Sequence, residues 1–125
     1  MIKFSREKVL LLHKIISEQI GTDPSLRDIG LLDSALEGAF QTFDGKELYP
    51  TKQEKAARIG YSLISNHAFV DGNKRIGMYI LLTFLEMNGV KINPTNEEVV
   101  RVGFAIADGK MNCEDLLQWI YDNQL

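Results

Sequence analysis

Apolar residues three and four positions apart dominate this chain, and the alternation expected of a strand is nearly absent. Val9, Leu10, Leu12, His13, Ile16 and Ile20 recur at helical spacing behind Ser5, a capping residue, and Gly21 ends the run. Thr22 to Gly30 is turn chemistry. A second helix is expected from Leu31 to Phe43, with Leu32, Ala35, Leu36, Ala39, Phe40 and Phe43 on its apolar side and Asp44-Gly45 as its breaker. Lys46 to Pro50 looks extended and suffices for a loop or half of a small hairpin.

Thr51-Lys52-Gln53-Glu54 has the spacing of a capping box and opens a helix to about Asn66, with Ala56, Ile59, Leu63 and His67 near one stripe. Asp71-Gly72-Asn73 interrupts that pattern, which restarts from Lys74 to Asn88 through Met78, Leu81, Leu82 and Leu85. Thr95-Asn96-Glu97-Glu98 is a second capping box, for a helix to about Ala107. Asn112 caps a last helix with Leu116, Leu117, Trp119 and Ile120 inside. Val90-Lys91-Ile92 is the one strand candidate. The pattern predicts an all-α single domain over residues 1–125, with about six helices and a short extended segment.

Composition narrows the function classes. A net charge of −3 argues against direct nucleic-acid binding, which needs a basic face to neutralise phosphates. Cys113 is the single cysteine, so no internal disulfide can form and nothing points to an oxidising compartment. The most apolar stretch, Met78 to Leu85, falls far short of the ~20 residues that span a bilayer. The first residues lack the apolar core of a signal peptide. The expectation is a cytoplasmic protein with no membrane partner.

The chemistry concentrates in His67-Ala68-Phe69-Val70-Asp71-Gly72-Asn73-Lys74-Arg75, between two apolar helices. Gly72 takes positive φ without a Cβ penalty, and Asn73 tolerates it. Such a turn aims successive backbone N–H groups into one concavity. The following helix adds its positive dipole end, and Lys74 and Arg75 add two cations, so a phosphate is expected here. Asp71 would repel a phosphate unless a magnesium ion bridged them. A histidine titrates close to neutral pH, which suits His67 to the role of general base. Phe69 is expected to point into the core and fix the loop. Asp-Gly-Asn is also a common turn and Lys-Arg a common solvated helix start. It is their company with His67 and Phe69 in one short segment that favours chemistry.

Those residues resemble the Fic signature: His, any, Phe, any, Asp or Glu, Gly or Ala, Asn, Gly or Lys, Arg. Lys74 in place of glycine makes the segment similar to the death-on-curing (Doc) branch. Leu26-Arg27-Asp28-Ile29-Gly30-Leu31-Leu32, Glu47-Leu48-Tyr49-Pro50, Glu54-Lys55-Ala56-Ala57 and Phe84-Leu85-Glu86-Met87-Asn88-Gly89 extend the likeness. The resemblance implies a Fic fold and a transferase that moves part of ATP, with Mg²⁺, onto a protein hydroxyl. It implies His67 as base, Asn73 and Arg75 as further catalytic residues, and Asp71 as metal ligand. Gly72, Asn73, Lys74 and Arg75 would cradle the phosphates, and Lys46–Pro50 would be a flap that aligns the target.

AMP-transferring members carry a second arginine three residues beyond the first, where this chain has Met78. Together with Lys74, this implies the reversed nucleotide pose and γ-phosphoryl transfer to a target such as translation elongation factor Tu. AMP transfer, or a non-catalytic nucleotide-binding module, are the alternatives. Self-silencing members carry Ser/Thr-x-x-x-Glu-(Gly/Asn). Ser34-Ala35-Leu36-Glu37-Gly38 is one residue short, so an inhibitory glutamate is expected from a partner antitoxin. Elsewhere His13 and Cys113 read as packed residues, Trp119 and Tyr121 as core and rim, and Arg27-Asp28 as a loop-bracing ion pair.

Overall fold

Five of six helices begin where a side-chain oxygen takes up a backbone N–H that the helix leaves unpaired. The computed structural model, which describes residues 1–125, has α1 over Arg6–Ile20 capped by Ser5 and α2 over Ile29–Gly38 capped by Asp28. Helix α3 spans Lys52–Ser65 behind Thr51, and α5 spans Asn96–Ala107 behind Thr95. Helix α6 spans Cys113–Asp122 behind Asn112. Helix α4, Asn73–Met87, alone starts without a side-chain cap, at Gly72. The all-α expectation holds, and no helix is long and apolar enough to cross a membrane.

The second helix is shorter than its apolar spacing predicts. It stops at Gly38, and Thr42–Phe43 (β1) pairs antiparallel with Lys46–Glu47 (β2) in the register Thr42–Glu47 and Phe43–Lys46. Asp44 and Gly45 both have positive φ, 52° and 77°, as a two-residue I′ hairpin turn requires. That turn draws Phe43 out of the helix into solvent. Reciprocal capping occurs only between Asn112 and Asp115. The Glu54 carboxylate instead accepts from the Thr51 hydroxyl, and Glu98 accepts from Trp119 Nε1 at 2.8 Å. The Val90–Ile92 segment forms no strand beyond a single bridge, Ile92 to Gln124.

Helices α3 and α4 make the most extensive pairing, and their glycines explain why they lie so close. A Cβ on Gly77 would come within 2.5 Å of Ile64 Cγ1, and one on Gly60 within 2.8 Å of Leu81. Around this seam, Ile59, Leu63 and Ile64 pack with Ile76, Ile80, Leu81, Phe84 and Leu85, and α6 adds Leu116 and Ile120. The hairpin is tied to α3 by Lys55, which is only 1% exposed. Its ammonium pairs with Glu47 at 3.0 Å and donates to the Tyr49 carbonyl, so a buried charge has both a counterion and a hydrogen bond.

Candidate active site

The chain from Asn66 to Gly72 joins α3 to α4 and is held from two sides. The α1–α2 connection lies along it like a short strand. Leu26 bridges Phe69, the N–H groups of Arg27 and Asp28 both donate to the Ala68 carbonyl, and Val70 N–H donates to Ser25 O. From inside, Phe69 is 1% exposed and stacks on the His13 ring, with centroids 3.8 Å apart. Asn73 closes the turn: its Nδ2 donates to Phe69 O at 3.0 Å, and its Oδ1 accepts from Phe69 N–H at 3.1 Å. Its side chain is thereby committed to the loop, leaving its main chain for any ligand.

The anchored turn presents His67 outward. Its side chain is exposed, and its φ of 54° lies in the left-handed region. Gly72 follows with φ 80°, where a Cβ would come within 2.8 Å of Arg75 Nη2 and 3.1 Å of His13 Cε1. Only glycine meets both demands. The Gly72 N–H donates to Asp71 Oδ1 at 2.7 Å. Arg75 folds back across the turn and donates from Nη2 to Thr22 Oγ1 at 3.1 Å. Lys74 Nζ lies 4.8 Å from the centre of the Phe104 ring. An uncapped helix start, a left-handed glycine and two cations therefore share one turn, which suits an anion.

That turn forms one end of a cleft of about 460 Å³ lined by Asp71 to Arg75. The remaining wall comes from Met78, Tyr79 and Leu82 of α4 and Val99, Val100, Gly103 and Phe104 of α5. His67 is not part of this wall. The α5 contribution is absent from the sequence reading. Its signal was available, since Val100 and Phe104 sit four apart and outside the buried stripe of Val102, Gly103 and Ile106. Met78 is 3% exposed and packs toward Gly103. No three His, Cys, Asp or Glu side chains gather to hold a metal alone. One carboxylate, Asp71, fits an ion such as Mg²⁺ that takes its other oxygens from phosphate and water.

Other residues fall where packing puts them. Asp28 caps α2 rather than pairing with Arg27, whose guanidinium reaches across to the carbonyls of His67 and Asn66. The two residues form no ion pair. Burial pushes the Cys113 thiol up, with the Arg58 cation opposing, which disfavours a nucleophilic thiolate.

His13 is 2% exposed, and burial first, then the Arg75 cation, hold its pKa below the ordinary value, against Asp71. Between those two values the unfolded chain binds a proton that the folded one refuses. The stability from neutral His13 is therefore full above about pH 6.5 and is lost as pH falls from there through the folded value. Urea denaturation as pH is lowered should show this decline, and His13→Gln should flatten it.

Comparison with known proteins places the chain in a family. A protein named Toxin Doc, from Mycolicibacterium smegmatis, is 42% identical over 87 residues, covering 70% of this chain and 65% of that protein. The chain thus spans just under two-thirds of that relative's length. The family model described as Fic/DOC matches residues 3–85, from the first helix through the loop and most of α4. With the turn and about two-thirds of the chain inside that match, the chain belongs to the Fic/DOC family.

Proposed function

We propose that this chain is a Doc-like toxin that transfers the γ-phosphoryl group of ATP to a Ser or Thr hydroxyl of a protein such as translation elongation factor Tu. The observation that carries the reading is the uncapped start of α4, with Gly72 left-handed and Lys74 and Arg75 within one turn, opening on the cleft. The main-chain N–H groups of that turn, Lys74 and Arg75 bind and orient the phosphates. His67 accepts the target hydroxyl's proton as the oxygen–phosphorus bond forms and the bond to the β-phosphate oxygen breaks. Asp71 would hold Mg²⁺, which neutralises phosphate charge when bound. The apolar wall at Tyr79, Val100 and Phe104 suits a base or ribose face. The hairpin pinned by Lys55 is assigned to target alignment.

Met78 favours γ-transfer over AMP transfer. Where AMP-transferring members carry an arginine, this chain places an apolar side chain in the α4–α5 seam, so no second cation reaches the phosphates there. The missing inhibitory string, with Glu37 at the exposed end of α2, favours an antitoxin partner that supplies the silencing glutamate.

Labelled ATP tests the reading directly. Incubation with a cell extract is expected to leave label on protein from γ-labelled ATP and none from α-labelled ATP. Label retained from the α position instead would establish AMP transfer. Tight ATP binding with no label on any protein would establish a non-catalytic module.

A further inference from the structure

The backbone at His67 needs an explanation, because a non-glycine residue at positive φ persists only where its surroundings over-determine it. Two peptide planes set φ and ψ at His67: the Asn66–His67 plane, which carries the Asn66 carbonyl, and the His67–Ala68 plane, which carries the His67 carbonyl. Arg27 holds both. Its Nε donates to His67 O at 2.7 Å, and its Nη2 donates to Asn66 O at 3.1 Å. A rigid planar fork that binds one carbonyl from each plane fixes their relative rotation, and therefore the direction of the Cα–Cβ bond of His67.

No main-chain N–H binds either carbonyl. The bonds to Ala68 O, the Ser25–Val70 contact and the Leu26–Phe69 bridge all lie beyond His67. Arg27 has no carboxylate partner within salt-bridge distance, and it is exposed, so neither a fold-wide ion pair nor core packing accounts for it.

We infer that Arg27 is the positioning residue of His67, clamping the peptide planes on either side and so setting the direction in which the imidazole leaves the loop. This rests on the reading of His67 as general base. Arg27 itself touches no reacting atom. It sets the angle from which the imidazole meets the target hydroxyl.

Nuclear magnetic resonance on Arg27→Gln and Arg27→Lys separates the clamp from a structural brace. The chain has only two histidines, so a His13→Gln control leaves a single ring to assign. In the wild-type chain, the amide–α-proton coupling and Cα shift of His67 should report positive φ. In Arg27→Gln they should leave the left-handed values, while Leu26, Phe69 and Asn73 shifts and the melting temperature stay put. The γ-label transfer kcat should fall roughly tenfold to a hundredfold with KM for ATP unchanged, as expected for misalignment of the base. Arg27→Lys, which keeps a charged donor but loses the rigid fork with its two separate donor nitrogens, should fall between.

Unchanged His67 shifts and coupling in Arg27→Gln would overturn the clamp. So would melting of both variants together with loss of the Leu26–Phe69 pairing, which would make Arg27 a general brace. A wild-type chain with left-handed His67 and no transfer would sink the base reading instead, and the resonance data would still decide the role of Arg27.

Discussion

His67→Ala is expected to lower γ-label transfer by about 10²–10⁴-fold, the usual contribution of a positioned general base, and to abolish growth arrest on expression. The fold should not change. The imidazole is exposed, and the contacts that hold the loop come from Phe69, Asn73 and the Leu26–Asp28 main chain. Replacement removes a ring that packs against nothing the core depends on, so the melting temperature should stay near that of the parent. His67→Gly sharpens the test. It deletes the base and also relieves the positive φ, so it should be at least as stable as His67→Ala and equally inactive. Nucleotide affinity should persist in both, since the groups proposed to bind the phosphates start at Gly72. An alanine variant that still arrests growth fully would show that the proton leaves by another route.

What the sequence revealed and what it concealed divide along the range of the interactions. Ser5, Thr51, Thr95 and Asn112 act within three residues, and each caps the helix its spacing announces. The segment from His67 to Arg75 is equally local, and its geometry was legible because a left-handed glycine, a helix start and two cations fall in consecutive positions. The clamp at Arg27 was not, because its acceptors lie about forty residues away and carbonyls leave no mark in residue type. Asn73 looked like a ligand-binding side chain, since nothing in its neighbours says that both amide atoms turn back to Phe69. The α5 wall was concealed for a related reason. Val100 and Phe104 read as ordinary helix residues until the fold sets them in one cleft wall with Tyr79 and Lys74. Phe43 was misplaced because its apolar spacing continued the helix, whereas the Asp44-Gly45 turn required extended chain on both sides.

The largest expected effect on stability comes from Phe69→Ala, which should cost about 3–5 kcal/mol. For a domain whose total stability is of order 5–15 kcal/mol, that is a lowering of the melting temperature by roughly 10–20 °C. The ring is 1% exposed and stacked on His13, so its removal opens a cavity directly beneath the loop rather than at a surface that can collapse. The two Asn73 bonds go to Phe69's main chain and survive the substitution in principle. With no ring to seat it, that main chain is free to lift. Nucleotide affinity should therefore drop along with stability, even at temperatures where the variant remains folded. Phe69→Leu separates packing from any special property of the aromatic ring. Leucine fills much of the space, so it should recover most of the melting temperature and most of the nucleotide affinity. If Phe69→Ala instead melts like the parent, the loop is held by its backbone bonds alone. The hydrophobic anchor would then not be what aims the cradle.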